Sequence, residues 1–279
     1  MKVLFTGRGG KAGSWQMRGL QMAEMRPDWR AVANCTLADL RDTDVAVITK
    51  RISDDSLAEI KKWGGKIVYD PLDFWHQPND AVGISSPEEV QLKFSKHFKN
   101  INANLTLACN EKMKHDLAPM CRRVEILHHH YDPKLKAAKY NAGRTIVYWG
   151  HPRYLGEWAD KMSNVCSRLK YDFKINPKDI TDCRAMFAIR AGAYGSWLDR
   201  RWKSCVKGAA ALRIGVPFIA WPETSYVEAC GQNLFAFTDE DSLYHATKAA
   251  LAGRFEQPPS SKLSIEHLAN VFEKQLESI

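Results

Sequence analysis

The sequence predicts an α/β protein made of two doubly wound, Rossmann-like halves, and three observations lead there. Short apolar runs alternate with helical stretches, the signature of parallel β-α-β units. The alternation runs twice, interrupted once by a polar, Lys-rich segment between His128 and Gly143 that contains Pro133. The length of 279 residues suits two modest domains, on a prior of about 150 residues each. The expected domains are residues 1–135 and 143–260, followed by a C-terminal helix over 261–279 that packs back on the first.

The first half opens with strand Val3–Thr6, a glycine-rich loop Gly7–Gly13, and a helix to about Met25 with Ser14 as N-cap. Further strands are expected at Ala31–Asn34, Val45–Ile48, Lys66–Asp70, Leu105–Cys109 and Val124–Leu127. Helices at about Ser56–Trp63, Glu88–Asn100 and Glu111–Leu117 fill most of the gaps. The second half begins with strand Thr145–Trp149, helix Glu157–Leu169 and strands Tyr171–Ile175 and Ala185–Ile189. Helix Lys203–Ile214 then feeds strand Phe218–Ala220, and a short helix near Glu223–Ala229 leads to strand Leu234–Phe237 and helix Asp241–Leu251. The tail Ser264–Glu277 reads as a final helix capped by Ser264, without an acidic or amide partner at His267 to complete a capping box.

Composition narrows the classes. Hydrophobic residues make up 45% and charged residues 26%, which excludes a disordered chain. Lys and Arg number 40 against 32 Asp and Glu, a net charge of +8 that suits a phosphate-rich partner: a nucleotide, a nucleic acid or an anionic membrane face. A generic basic surface would look the same. The seven cysteines are scattered with no Cys-x-x-Cys pair, so neither a disulfide framework nor a zinc site is expected. The first apolar stretch ends at Gly7, short for a signal peptide, and no segment approaches the ~18 apolar residues of a membrane span. A soluble, cytoplasmic monomer is the expectation.

Ligands of open α/β sheets bind beyond the carboxyl ends of the strands, so the segments that follow strands carry the chemistry. The loop Gly7-Arg8-Gly9-Gly10-Lys11-Ala12-Gly13-Ser14 permits close backbone approach to a ligand. It lacks the Gly-Lys-Ser/Thr ending of a P-loop and is followed, after the second strand, by Asn34-Cys35 rather than an acidic residue, which disfavours a kinase or dehydrogenase. A tight strand-helix turn without a ligand is the bland alternative. Strand Lys66–Tyr69 runs into Asp70-Pro71-Leu72-Asp73-Phe74-Trp75-His76. Two carboxylates among aromatic rings offer a general base, since apolar neighbours raise a carboxyl pKa; an Asp that caps the turn is the alternative.

In the second half, Gly150-His151-Pro152-Arg153 puts an arginine just beyond a strand, where it can grip a phosphate. From Arg184 to Arg213 seven cations face Asp199 alone. Charge runs usually mark a solvated face, but cations at the start of helix Lys203–Ile214 would oppose its dipole unless an anion sat there. His128-His129-His130 cannot all face one metal from an extended strand, because successive side chains alternate. Nine Lys/Arg between Lys96 and Lys139 against four acids could track a nucleic-acid backbone or form an ordinary surface. Trp15, Trp75 and Trp149 lie beside these loops and could stack on a base or sugar, or simply pack.

The helix ending Gly215-Val216-Pro217-Phe218-Ile219-Ala220 resembles the donor-binding segment of the GT-B glycosyltransferases, as do the strand end Tyr148-Trp149-Gly150 and the stretch Glu223-Thr224-Ser225-Tyr226-Val227-Glu228. By distance from Gly215, the resemblance makes Glu228 a polar donor contact; a solvated helix glutamate fits equally. Ala210 stands where many retaining members carry a ribose-binding glutamate, a departure from the paired-glutamate signature. A narrower similarity is to the phage DNA β-glucosyltransferases, in which an aspartate on the N-terminal side is the base, a position that Asp70 could fill.

The resemblance implies two facing domains, with the acceptor on the first and a nucleotide diphosphate sugar on the second. It implies Asp70 as base, with Asp73 beside it, in an inverting transfer to a hydroxyl. Arg153, Arg201, Lys203 and Lys207 would neutralise the diphosphate, with Gly9 and Gly10 close to the donor or acceptor. No metal or resident cofactor is called for; the nucleotide sugar is a co-substrate. A hydroxymethylated pyrimidine in duplex DNA is the favoured acceptor, flipped out for reaction. A saccharide or lipid-linked acceptor, and a non-catalytic nucleic-acid-binding protein, are the competing readings.

Overall fold

The computed structural model describes residues 1–73, 79–138, 143–252 and 260–279. It divides into two compact units: Met1–Trp75 with Ile84–His130 and Ser264–Ile279, and His76–Gly83 with Tyr131–Leu263.

Unit 1 holds β1 (Val3–Gly7), β2 (Trp29–Ala33), β3 (Val45–Thr49), β4 (Lys66–Asp70), β5 (Leu105–Ala108) and β6 (Val124–Ile126) in one sheet of order β2-β1-β3-β4-β5-β6. All pairings are parallel, and Gly7 stands opposite Ala33 while Thr49 stands opposite Asp70. The carboxyl ends of these strands therefore share one edge. β1 and β3 are buried along their whole length, as expected of parallel strands covered on both faces. The covering helices are α1 (Leu37–Leu40), α2 (Asp54–Trp63), α3 (Pro87–Ile101) and α4 (Glu111–Leu117).

Unit 2 holds β7 (Thr145–Tyr148), β8 (Asp172–Ile175), β9 (Cys183–Ala188), β10 (Phe218–Ala220) and β11 (Leu234–Ala236) in a second parallel sheet, order β11-β10-β9-β7-β8. Its helices are α5 (Trp158–Leu169), α6 (Trp197–Trp202), α7 (Val206–Ile214), α8 (Thr224–Cys230) and α9 (Glu240–Ala252). The last helix, α10 (Ile265–Leu276), belongs to unit 1, where Phe272 packs against Phe5 and Trp29. Ser264 caps it, its hydroxyl accepting from the His267 N–H. Two Rossmann-like halves, each built on a parallel sheet, are thus present as the strand pattern required.

Local expectations fail at three places. The segment after the glycine loop is π-helical over Trp15–Gln21, and Ser14 has helical dihedrals with no capping bond. A Cβ on Gly19 would fall 2.5 Å from the Trp15 ring, so this glycine makes room for an indole. The short α1 and α6 escape the periodicity; Ser196 and Asp199 form a capping box that starts α6. Finally, α7 begins at Val206, not Lys203, which is extended. Arg200 and Arg201 therefore lie in the last turn of α6, where cations suit the dipole. Of the cations taken to oppose a helix dipole, only Lys207 stands in the first turn of α7.

Candidate functional site

In unit 2 the informative side chains gather beyond β7, β9 and β10. Gly150 follows β7 at φ 149°, and a Cβ there would fall 2.9 Å from Lys207 Nζ. Asn176 holds this glycine in place: its amide donates to the Gly150 carbonyl and accepts the Gly150 N–H, both at 2.8 Å. Lys207, from the first turn of α7, donates to the Tyr148 hydroxyl at 3.2 Å and lies 4.3 Å from the centre of that ring. It is also 5.8 Å from the Tyr154 ring, over which Arg153 sits at 5.9 Å. Lys207 and Arg153 thus meet on one aromatic ring.

Burial, and after it the charge of Arg190, pull the Lys207 ammonium down to about 7. Arg190, just past β9, is ion-paired to Glu223, just past β10, with side chains only 9% and 2% exposed. Burial works against the Arg190 charge, and Glu223, Tyr226 and Asp199 together more than offset it. Arg190 and Glu223 both occur in sequence stretches of interest, but nothing local joins residues 33 apart.

The other expected donor residues are placed differently. Lys203 is 4% exposed with Nζ 3.7 Å from Asp199. Arg201 covers the Trp197 ring at 4.4 Å. Glu228 is exposed on α8, and Trp149 packs partly against the core of the unit.

In unit 1, Asp70 ends β4 and is 4% exposed. Its Oδ2 accepts from Arg18 Nε at 2.7 Å and its Oδ1 from the Leu72 N–H at 3.2 Å. Arg18, 2% exposed, also donates to the carbonyls of His128 (2.9 Å) and Leu127 (3.4 Å). The sequence sets Asp70 among aromatic residues; in the fold it also faces a buried guanidinium and shapes the turn that follows, in which Leu72 takes φ 61°. That turn presents Asp73, which is more exposed and ion-paired to Lys50 at 2.5 Å. Phe74, Trp75 and His76 lie outside the described residues.

Beside this turn, a cavity of about 310 Å³ opens at the ends of β1 and β3, lined in part by Arg8, Gly9, Trp15, Thr49, Lys50 and Arg51. Gly9 has φ 73°, and a Cβ on it would meet Ala33 Cβ at 2.5 Å, so the loop lies flat on the sheet edge. Gly10 is exposed at φ 81°. The three histidines go three ways: His128 Nδ1 to the Cys109 carbonyl, His129 Nδ1 to the His130 carbonyl, and His130 Nε2 to the Gln21 side chain.

Neither a protein-family model nor a curated protein matches this chain. Solved structures do. Sucrose-phosphate synthase from Thermosynechococcus elongatus superposes with TM-score 0.65 at 8% identity, over 100% of this chain and 99% of that one. The Anabaena protein HepE, solved in complex with UDP, gives 0.62 at 13%, over 100% of both chains. A putative UDP-N-acetylglucosamine 2-epimerase from Listeria monocytogenes gives 0.52 at 10%, over 100% and 98%. At these identities the likeness is one of fold: two Rossmann-like α/β units of the GT-B class, the fold class that the sequence resemblance implied.

Proposed function

We propose that the chain is a glycosyltransferase that moves a sugar from a uridine diphosphate sugar to a hydroxyl acceptor. The observation that carries this is the cluster of Lys207 and Arg190 beyond the strands of unit 2. Glu223 balances one of these two cations, and desolvation holds the other down to about 7. An arriving diphosphate would restore the charge on Lys207 and form charge-assisted hydrogen bonds. Uridine is chosen because HepE was solved with UDP and the Listeria protein is named for a UDP-sugar; both share the fold.

In this reading Lys207, Arg190 and Arg153 take the diphosphate. Lys203 reinforces the local positive potential, and Arg201 and Glu228 are contacts at the rim of the donor. Gly9 and Gly10 keep the backbone of unit 1 close to the acceptor. Asp73 is the base. The acceptor proton passes to its carboxylate, the acceptor oxygen bonds the anomeric carbon, and the bond from that carbon to the diphosphate breaks with its electron pair on a phosphate oxygen. This direct displacement inverts the anomeric centre. Asp70 positions the turn. A saccharide hydroxyl is the acceptor favoured by the name of the sucrose-phosphate synthase neighbour; the hydroxymethylated pyrimidine in DNA rests on charge and sequence resemblance alone.

The test is a thermal-shift panel of UDP, GDP and dTDP on wild type and Lys207→Ala. At 100 times its Kd, a ligand adds about 2.7 kcal/mol, a shift of several degrees for a chain of this size. A shift with UDP that Lys207→Ala abolishes supports the reading, and no shift with any nucleotide overturns it. Turnover of the UDP-sugar to an epimer without an acceptor would overturn transfer while keeping the donor site.

A further inference from the structure

We propose that the cavity at the ends of β1 and β3 binds a phosphomonoester, and that the acceptor is a phosphorylated monosaccharide. As an acceptor subsite it rests on the transferase reading above; as an anion site it stands on its own residues.

Among the described residues the lining contains three cations, Arg8, Lys50 and Arg51, and no carboxylate. Asp73, ion-paired to Lys50, offsets one of them and leaves a local balance of two positive charges. A phosphomonoester carries about −1.5 to −2 at neutral pH; a carboxylate, at −1, would leave one cation unbalanced. The two guanidiniums also match the tetrahedral oxygens better than a lysine pair, because each offers a planar fork of donors.

A second, independent feature points to a ligand. Thr49 is 4% exposed, lines the cavity, and its hydroxyl has no hydrogen-bond partner among the described residues. Arg51 Nε is likewise buried without a partner. Buried donors left unmade are costly and uncommon, and these two lie two residues apart on one turn, either side of Lys50. That turn is held open by its own backbone. Lys50 takes φ 58°, its N–H donates to the Asp70 carbonyl at 2.7 Å, and the Arg8 N–H donates to the Arg51 carbonyl at 2.9 Å. The glycine loop and the β3 turn thus hold each other by a main-chain bond, which places Arg8 and Arg51 on the same cavity.

The size favours a small ligand. About 310 Å³ is at the low end of ligand pockets, enough for one sugar ring with its phosphate. A nucleic-acid backbone asks instead for a run of cations along an open groove.

Calorimetric titration of the full chain with glucose 6-phosphate, mannose 6-phosphate and ribose 5-phosphate tests this, with each unphosphorylated sugar, inorganic phosphate and a 5′-hydroxyl DNA duplex as the other arms. At least one sugar phosphate is expected to bind tenfold or more tightly than both its parent sugar and inorganic phosphate. Arg8→Gln and Arg51→Gln should each weaken it about tenfold while leaving the UDP thermal shift intact; Lys207→Ala should leave it unchanged. Equal affinity for sugar phosphate and inorganic phosphate overturns the sugar acceptor. No binding of any phosphomonoester, or displacement of sugar phosphate by the duplex, overturns the proposal even where UDP binds normally. Sugar-phosphate binding without UDP binding overturns the transferase reading and leaves the anion site standing.

Discussion

Replacing Asp70 separates two roles that an aspartate after a strand can play. The Arg18–Asp70 pair is 2.7 Å long, with side chains 1% and 5% exposed. Removing one partner of such a pair leaves a buried charge and costs about 3–5 kcal/mol. Arg18 would keep its bonds to the Leu127 and His128 carbonyls, which bounds the loss from above. For domains of this size each kcal/mol lowers Tm by about 2–4 °C, so Asp70→Ala should melt about 6–20 °C below wild type. Urea melts of Asp70→Ala, Asp70→Asn, Arg18→Met and the Arg18→Met/Asp70→Leu double variant measure the coupling. The double variant should recover much of the loss, because an apolar pair of similar volume leaves no buried charge unbalanced. Asp73→Asn, by contrast, should abolish sugar transfer with little change in melting. The reasoning fails if Asp70→Asn melts like wild type yet loses all transfer: Asp70 would then be the base and Arg18 its accessory.

Other expectations follow from the same geometry. Because Lys207 sits at about 7 against an ordinary 10.5, the folded chain binds fewer protons than the unfolded one between those pH values. Stability should therefore fall as pH is lowered from 10.5 toward 7, and Lys207→Met should flatten that slope. UDP binding at pH 8.5 should take up close to one proton, read from calorimetry in two buffers of different ionisation enthalpy; zero uptake would refute the assigned role. Burial and then the Arg18 charge hold His129 down to about 4. The stability its neutral form contributes, about 3 kcal/mol, should be present above pH 6.5 and lost on acidification toward pH 4. His129→Gln should lose that slope, and an unchanged acid limb would exclude it as the cause. Gly19→Ala should cost about 1–3 kcal/mol by pressing a methyl into the Trp15 ring; a neutral result in urea melts would mean that the indole lies elsewhere. Glu223→Gln should destabilise by about 3–5 kcal/mol by leaving Arg190 buried and unbalanced, measured the same way.

The strands were legible because the signal is local. Each is a run of consecutive apolar residues bounded by turn formers, and burial on both faces makes the run continuous. Strong caps such as Ser264 were readable for the same reason. Short helices were not. α1 and α6 have four and six residues, too few for periodicity to register. Missing α6 moved the expected start of α7 by three residues, which put Lys203 at a helix start although it lies at the end of α6. One shifted boundary thus reversed the sign of the electrostatic argument for Lys203, while Lys207 keeps its place in the first turn of α7.

By itself the sequence determined the class of the fold, the glycine-rich turn after the first strand, and the fact that Asp70, Asp73, Arg153 and Lys207 stand near strand or helix ends. Only the tertiary structure decided which charge meets which. Asp70 is claimed by Arg18, 52 residues earlier, and Arg190 by Glu223, 33 residues later. It also decided that Thr49, Lys50 and Arg51, unremarkable in the chain, line a cavity with Arg8. The reason is physical: strand and helix patterns are set by neighbours within a few residues. Ion pairing and desolvation depend on what the rest of the fold stacks around a group, and no local pattern encodes that.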